Sequence, residues 1–294
     1  MEEKIISKTE RNVFFRILNF PVIQILIAII LVNVTTFILR SITQYILYSL
    51  SLNNTLTSVV IFLVRVFTVY FAYLLFFKFF EKRKVQEISI TSKSIKEFFY
   101  GALFGLFGIV TILTLMWITG NFTISGVNGS STLFQSFLYL FFFAFLQTIV
   151  YFAIIFRILE KWVGSWSAIA IASIIFGFKH LLFPGYTLWS VIAQSIEGGI
   201  LFCAIYIFFR NIWLIFGFIA VWDFIESGFI LGLDNEAMIP LFNSEFSGSS
   251  LITGMPVGPE ASILTFFIFT SIGIYLLRIA YKKGNFVLPS WKKQ

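Results

Sequence analysis

An all-α, polytopic transmembrane helix bundle of about eight spans is the fold class this sequence predicts, and three observations carry the prediction. Hydrophobic residues make up 59% of the 294 and charged residues 12%, about half the charged share of a soluble domain. No water-soluble core could hide that much apolar surface, and the 40 phenylalanines suit lipid, which accepts apolar side chains on every helix face. The apolar residues also fall into windows long enough to cross about 30 Å of hydrocarbon at 1.5 Å per residue. Finally, the cations gather at alternate turns and not on one domain.

The windows run at 20–39, 57–79, 98–119, 132–157, 165–183, 188–209, 212–232 and 262–281. The first follows a cationic segment that also carries Glu2, Glu3 and Glu10 and is followed by no small-residue cleavage site, so it reads as a retained span and not as a signal peptide. The second carries Arg65, and the third places Gly101, Gly105 and Gly108 at a spacing suited to close helix contact. The fourth and fifth form a hairpin turning near Val163 and Gly164, and the sixth and seventh turn at Arg210 and Asn211. The resulting organisation is a cytoplasmic segment at 1–19, N-terminal helices over 20–130, a four-helix core over 131–232, a Gly/Ser/Pro-rich outside loop at 233–261, and a last helix with a basic tail at 262–294.

With both termini cytoplasmic, every Lys and Arg except Arg40, Arg65 and Lys179 falls in an inside segment. The last outside loop instead holds Asp234, Glu236, Glu245 and Glu260 without a single cation. The net charge of +7 is thus topological, which excludes nucleic acid as the partner and leaves membrane lipid as the surroundings. One cysteine, Cys203, inside an apolar run excludes a disulfide framework and a Cys-based zinc site.

Polar groups at mid-membrane need a partner or a task. Here they are Arg65, Gln147, Thr148, Lys179, His180, Gln194, Glu197, Asp223 and Glu226. Gln147 and His180 lie about 16 residues, or roughly 24 Å, from their shared turn, while Glu197 and Asp223 lie about 13 residues, or roughly 20 Å, from theirs. These four are expected in one layer. Helical spacing stacks Phe176 with His180, Ile219 with Asp223 and Glu226, and Ser190 with Gln194 and Glu197. A structural alternative pairs Asp223 or Glu197 with Arg65, and Lys179 is expected to snorkel to the outer interface.

From about Ser136 to Ser227 the order of features resembles the CPBP family, the Abi-type intramembrane CAAX-prenyl-protease and bacteriocin-processing endopeptidases. The resemblance rests on Phe176-Gly177-Phe178-Lys179-His180, which fits the family's Phe-x-x-x-His. Its setting fits too, with Phe156-Arg157-Ile158-Leu159-Glu160-Lys161 and Gly164-Ser165-Trp166 before it, Phe183-Pro184-Gly185 after it, and Arg210-Asn211-Ile212-Trp213-Leu214 ahead of the third motif. What the resemblance implies is a hydrolase that cleaves peptides within the membrane through a Glu-activated water, with histidines and a last polar residue holding the substrate carbonyl or, in some accounts, a metal.

The motif positions depart from that pattern. Gln147 and Thr148 stand where the family has Glu-Glu, Phe152 where it has Arg, Ile219 where it has the second His, and Asp223 where it has the final Asn, and the resemblance implies that Gln147, Thr148, Phe152, Phe176 and Ile219 line the site. The amide of Gln147 cannot accept a proton at any useful pH, and the single histidine would need carboxylates to complete a divalent metal site, so no cofactor is expected unless the enzyme is active. Three functions stay open: a catalytically impaired pseudoprotease that binds a membrane peptide or protein partner, an active endopeptidase using His180, Asp223 and Glu226, and a transporter or proton pathway through Arg65, Glu197, Asp223 and Glu226. The family context implies a prokaryotic plasma membrane and includes bacteriocin self-immunity proteins.

Overall fold

The computed structural model describes residues 16–129, 132–232 and 238–292; Lys4, Lys8, Arg11, Asp234, Glu236 and Lys293, used above for orientation, lie outside them. Eight described helices are long and apolar enough to cross a membrane: α1 Pro21–Ser49, α2 Asn54–Phe80, α3 Ser92–Ile118, α4 Leu133–Val163, α5 Ser165–Leu182, α6 Leu188–Phe209, α7 Trp213–Leu231 and α8 Ile263–Lys282. The chain is a multi-pass membrane bundle, as the apolar windows predict.

Local chemistry sets the starts. Pro21 opens α1, where its missing N–H costs nothing. Asn53 caps α2, accepting from the Leu56 N–H at 2.8 Å, and Thr91 and Ser262 cap α3 and α8 in the same way. Thr187 and Ser190 form a reciprocal capping box at the head of α6. That helix ends at Arg210, whose left-handed φ of 56° is held by a 2.5 Å bond to Glu160 and a bond to the Asn285 carbonyl.

Two departures from the sequence reading concern the ends of elements. Helix α1 continues ten residues past the predicted boundary at 39, through exposed Arg40, because hydropathy falls there while helical hydrogen bonding does not. The loops after α3 and α7 also form a two-stranded antiparallel ribbon, β1 Phe122–Val127 with β2 Phe242–Phe246, which the all-helical reading treats as loop. The facing Phe122 and Phe246 rings, 5.1 Å apart, tie the segment after α3 to the one after α7.

The core sits where α4, α6 and α7 meet, and these are the most buried helices, whereas α1, α2, α3 and α8 show mostly exposed apolar faces. Helix α3 approaches α7 backbone to backbone. A methyl group added at Gly101 or Gly105 would run into the main chain of Leu214 or Phe218, so only glycine allows the approach. This contact fixes the position of α7, and with it Asp223 and Glu226.

Candidate functional site

Two of the central helices change pitch beside the polar residues. After Thr148, α4 becomes a π-helix over Ile149–Phe156, and after Asp223, α7 becomes one over Phe224–Leu231. Helix α5 tightens into a 3₁₀ turn at Lys179–Leu182. Such irregular turns rotate side chains relative to a continuous α-helix and are common at functional sites.

Between these segments lies a cavity of about 1080 Å³. Its walls include apolar Phe143, Leu146, Ile175, Leu201, Phe218 and Phe269, and its polar lining includes Gln147, Lys179, His180, Gln194, Glu197, Asp223, Glu226 and Glu260. Phe176 and Ile219, two of the degenerate motif positions, are also on the wall.

Thr148 and Phe152, expected on the lining, turn elsewhere. Thr148 is fully buried and donates to the Ala144 carbonyl at 2.6 Å, and Phe152 packs against Phe176 and Phe202 at 5.6 and 5.4 Å. The two are four residues apart and so share a face, while Gln147, Val150, Tyr151 and Ile155 form the face that meets the cavity. Arg65 is likewise not on the wall. Its guanidinium lies 3.6 Å above the Phe142 ring, and Asp223 finds its partners elsewhere.

Gln147 links two charged groups. Its Oε1 accepts from Lys179 Nζ at 2.6 Å and its Nε2 donates to Asp223 Oδ2 at 3.2 Å, an arrangement that fixes which way the amide faces. Lys179 therefore points inward, against the expectation that it would snorkel to the interface. Its ammonium is held by Gln147 and lies 4.1 Å over the Phe176 ring and 4.7 Å over that of Tyr151.

His180 Nδ1 lies 3.1 Å from the Gly177 carbonyl, which assigns the proton to Nδ1 and leaves Nε2 as the basic nitrogen. The ring stacks on Tyr186, with centroids 5.0 Å apart and planes 20° from parallel. Glu226 accepts from Trp222 Nε1 at 2.9 Å and from the Glu260 backbone N–H at 3.0 Å. One oxygen of Glu197, Oε2, has no hydrogen-bond partner among the described residues, and that residue is 3% exposed.

Two site residues escape the sequence reading. Glu260 belongs to the Gly/Pro-rich stretch ahead of α8, but the chain folds back so that its carboxylate accepts from the Tyr186 hydroxyl and its carbonyl from Gln194. Burial raises the Glu260 carboxyl above its ordinary range, despite the Tyr186 hydrogen bond and the Lys179 charge. Burial and the Glu260 charge likewise push the Tyr186 phenol upward. The cluster Gly254–Pro256–Gly258–Pro259 was the available signal, since such a run bends the chain sharply.

Chemically, the site offers one imidazole nitrogen, one ammonium and several carboxyls, with an amide where a general base is expected. A divalent metal does not fit it. Among the described residues no three His, Cys, Asp or Glu side chains converge as a ligand set, and the chain has one histidine.

No curated protein and no solved structure matches the chain. A family model does, over residues 129–225, about a third of the length and the part that carries Gln147, His180, Glu197 and Asp223. Over that central segment of the membrane bundle the chain is similar to the Rce1-like family, described as type II CAAX prenyl endopeptidase Rce1-like.

Proposed function

We propose that the chain binds a membrane-embedded peptide segment in this cavity and does not hydrolyse it. The observation that carries this reading is Gln147, an amide at the position of the family's first motif carboxylate, with both its ends engaged by Lys179 and Asp223. An amide so placed can position charges but cannot take a proton from water. The family's peptide-sized groove would then serve as a binding site, by which the protein escorts or inhibits a membrane partner in a prokaryotic plasma membrane.

A second reading, an active endopeptidase, is favoured by the basic His180 Nε2 and the Asp223 carboxyl, two residues that line the same cavity. The test incubates the reconstituted protein with prenylated and unprenylated peptides and compares it with His180→Ala and Asp223→Asn. The binding reading expects no turnover in any of the three and photo-crosslinking of peptide to the cavity in all. Turnover that either substitution abolishes would overturn it. Ion or solute flux through protein-loaded liposomes would instead support the transporter reading.

The same reading places both termini in the cytoplasm, so reporter fusions at Lys84 and Arg210 are expected to report inside and one near Gly248 outside. An inverted pattern would reverse the orientation.

A further inference from the structure

The cavity that serves as the proposed peptide site has an unequal charge inventory. Four carboxyl side chains, Glu197, Asp223, Glu226 and Glu260, line it, while Lys179 is the one ammonium or guanidinium among its described lining residues. Three of the four carboxyls have donors within the protein: Gln147 for Asp223, Trp222 and the Glu260 N–H for Glu226, and Tyr186 for Glu260. Glu197 differs. It is 97% removed from solvent, it is among the residues that line the cavity, and its buried Oε2 has no hydrogen-bond partner among the described residues.

An unpartnered carboxyl oxygen in a low-dielectric interior is costly, and a bundle that keeps one beside a cavity has kept a place for a donor. An apolar or anionic occupant would leave the oxygen unsatisfied. A cation would both donate a hydrogen bond to it and offset the excess of carboxyls. The rest of the wall, phenylalanine and aliphatic, suits an otherwise apolar chain.

We infer that the bound peptide carries a basic side chain whose ammonium or guanidinium enters the carboxyl-lined part of the cavity and pairs with Glu197. This rests on the peptide-binding reading and adds to it the chemistry of the ligand. Lys179, held by Gln147 and two aromatic rings, already supplies the cation beside Asp223, which leaves Glu197 as the carboxyl for the peptide's own cation.

The test uses the full chain in lipid nanodiscs and fluorescent Leu/Ala octapeptides that differ only at the fourth side chain, lysine in one and norleucine in the other. Lysine is expected to bind at least about tenfold more tightly, with the preference lost in Glu197→Gln and retained in Glu197→Asp. Equal binding of the two peptides, or tighter binding of norleucine, would refute the inference while leaving peptide binding intact. A lysine preference that survives Glu197→Gln would overturn the assignment of Glu197. Failure of both peptides to bind would instead sink the peptide-binding reading itself. If Glu197→Gln does not fold, the wild-type comparison of the two peptides decides alone.

Discussion

Two clusters of buried charged side chains in this bundle are balanced differently. At the basic end, Glu81, Arg83, Glu87 and Arg157 form a compact network joining the end of α2 to α4. Arg157 pairs with Glu81 at 2.9 Å and with Glu87 at 3.4 Å, Arg83 with both at 2.5 Å, and the Tyr73 hydroxyl donates to Glu87. In the cavity, carboxyls outnumber ammonium groups, and among the described residues Glu197 Oε2 has neither a hydrogen bond nor an ion pair, whereas Glu81 Oε1 of the network, also without a hydrogen bond, has the Lys161 ammonium at 3.5 Å. A network with matched charges holds helices together, whereas an unmatched set is incomplete without something else. On the proposed reading, the contrast puts structure at one end and binding in the middle.

The largest expected effect is therefore at the matched network. Arg157→Leu removes the partner of two buried carboxylates and the cation over the Phe77 ring, and should cost about 3 kcal/mol in thermal or denaturant unfolding in detergent. A loss below about 1 kcal/mol would mean that the network is not what holds α2 to α4.

A pH titration sharpens the same point. Burial alone would raise the Glu87 carboxyl, but the Arg83 hydrogen bonds, the Arg157 charge and the Tyr73 hydroxyl outweigh it and bring it to about 2. Its folded value thus lies below the unfolded carboxyl value of about 4.3, so its stabilisation is complete above that value and is withdrawn as pH falls toward 2. The Tm of the wild type should fall over that window, and Glu87→Gln, less stable at neutral pH, should flatten the decline. An equally steep decline in the variant would assign acid sensitivity to other groups.

The unmatched region should respond in the opposite sense. Glu197→Gln removes a carboxyl that has one unsatisfied oxygen among like-charged neighbours, so its effect on unfolding should stay within about 1 kcal/mol and can be stabilising. A loss as large as that of Arg157→Leu would erase the distinction between the two regions and make Glu197 a structural residue.

What the sequence discloses follows from which signals are local. Long apolar runs mark the eight helices, because crossing hydrocarbon is a property of each segment alone. The 3.6-residue period likewise groups His180 with Phe176, and Asp223 with Glu226. Rotation of a helix about its own axis is not local: Thr148 and Phe152 miss the cavity because α4 turns that face to Phe176 and Phe202 and continues as a π-helix. Lys179 reads as a snorkelling cation until Gln147 on another helix is seen to hold it. Glu260 is hardest to find, since it comes 34 residues after Glu226 and reaches it only by folding back of the loop.

The smallest expected effect tests whether the basic end owes its strength to burial or to the number of its charges. Lys93 lies 3.7 Å from Glu97, four residues along the same helix, but its side chain is 76% exposed, so solvent competes for the ammonium and holding the chain in place costs entropy. Glu97, in contrast, is buried and accepts from Asn211 Nδ2 at 2.5 Å, a bond that joins the start of α3 to the turn before α7. Lys93→Ala should therefore change unfolding by no more than about 0.5 kcal/mol, while Asn211→Ala, which strips the buried carboxylate of its neutral donor, should cost about 1–3 kcal/mol. If the lysine substitution proves the more damaging, the exposed cations and not the buried pairs hold this end together, and the contrast between a matched and an unmatched interior loses its first half.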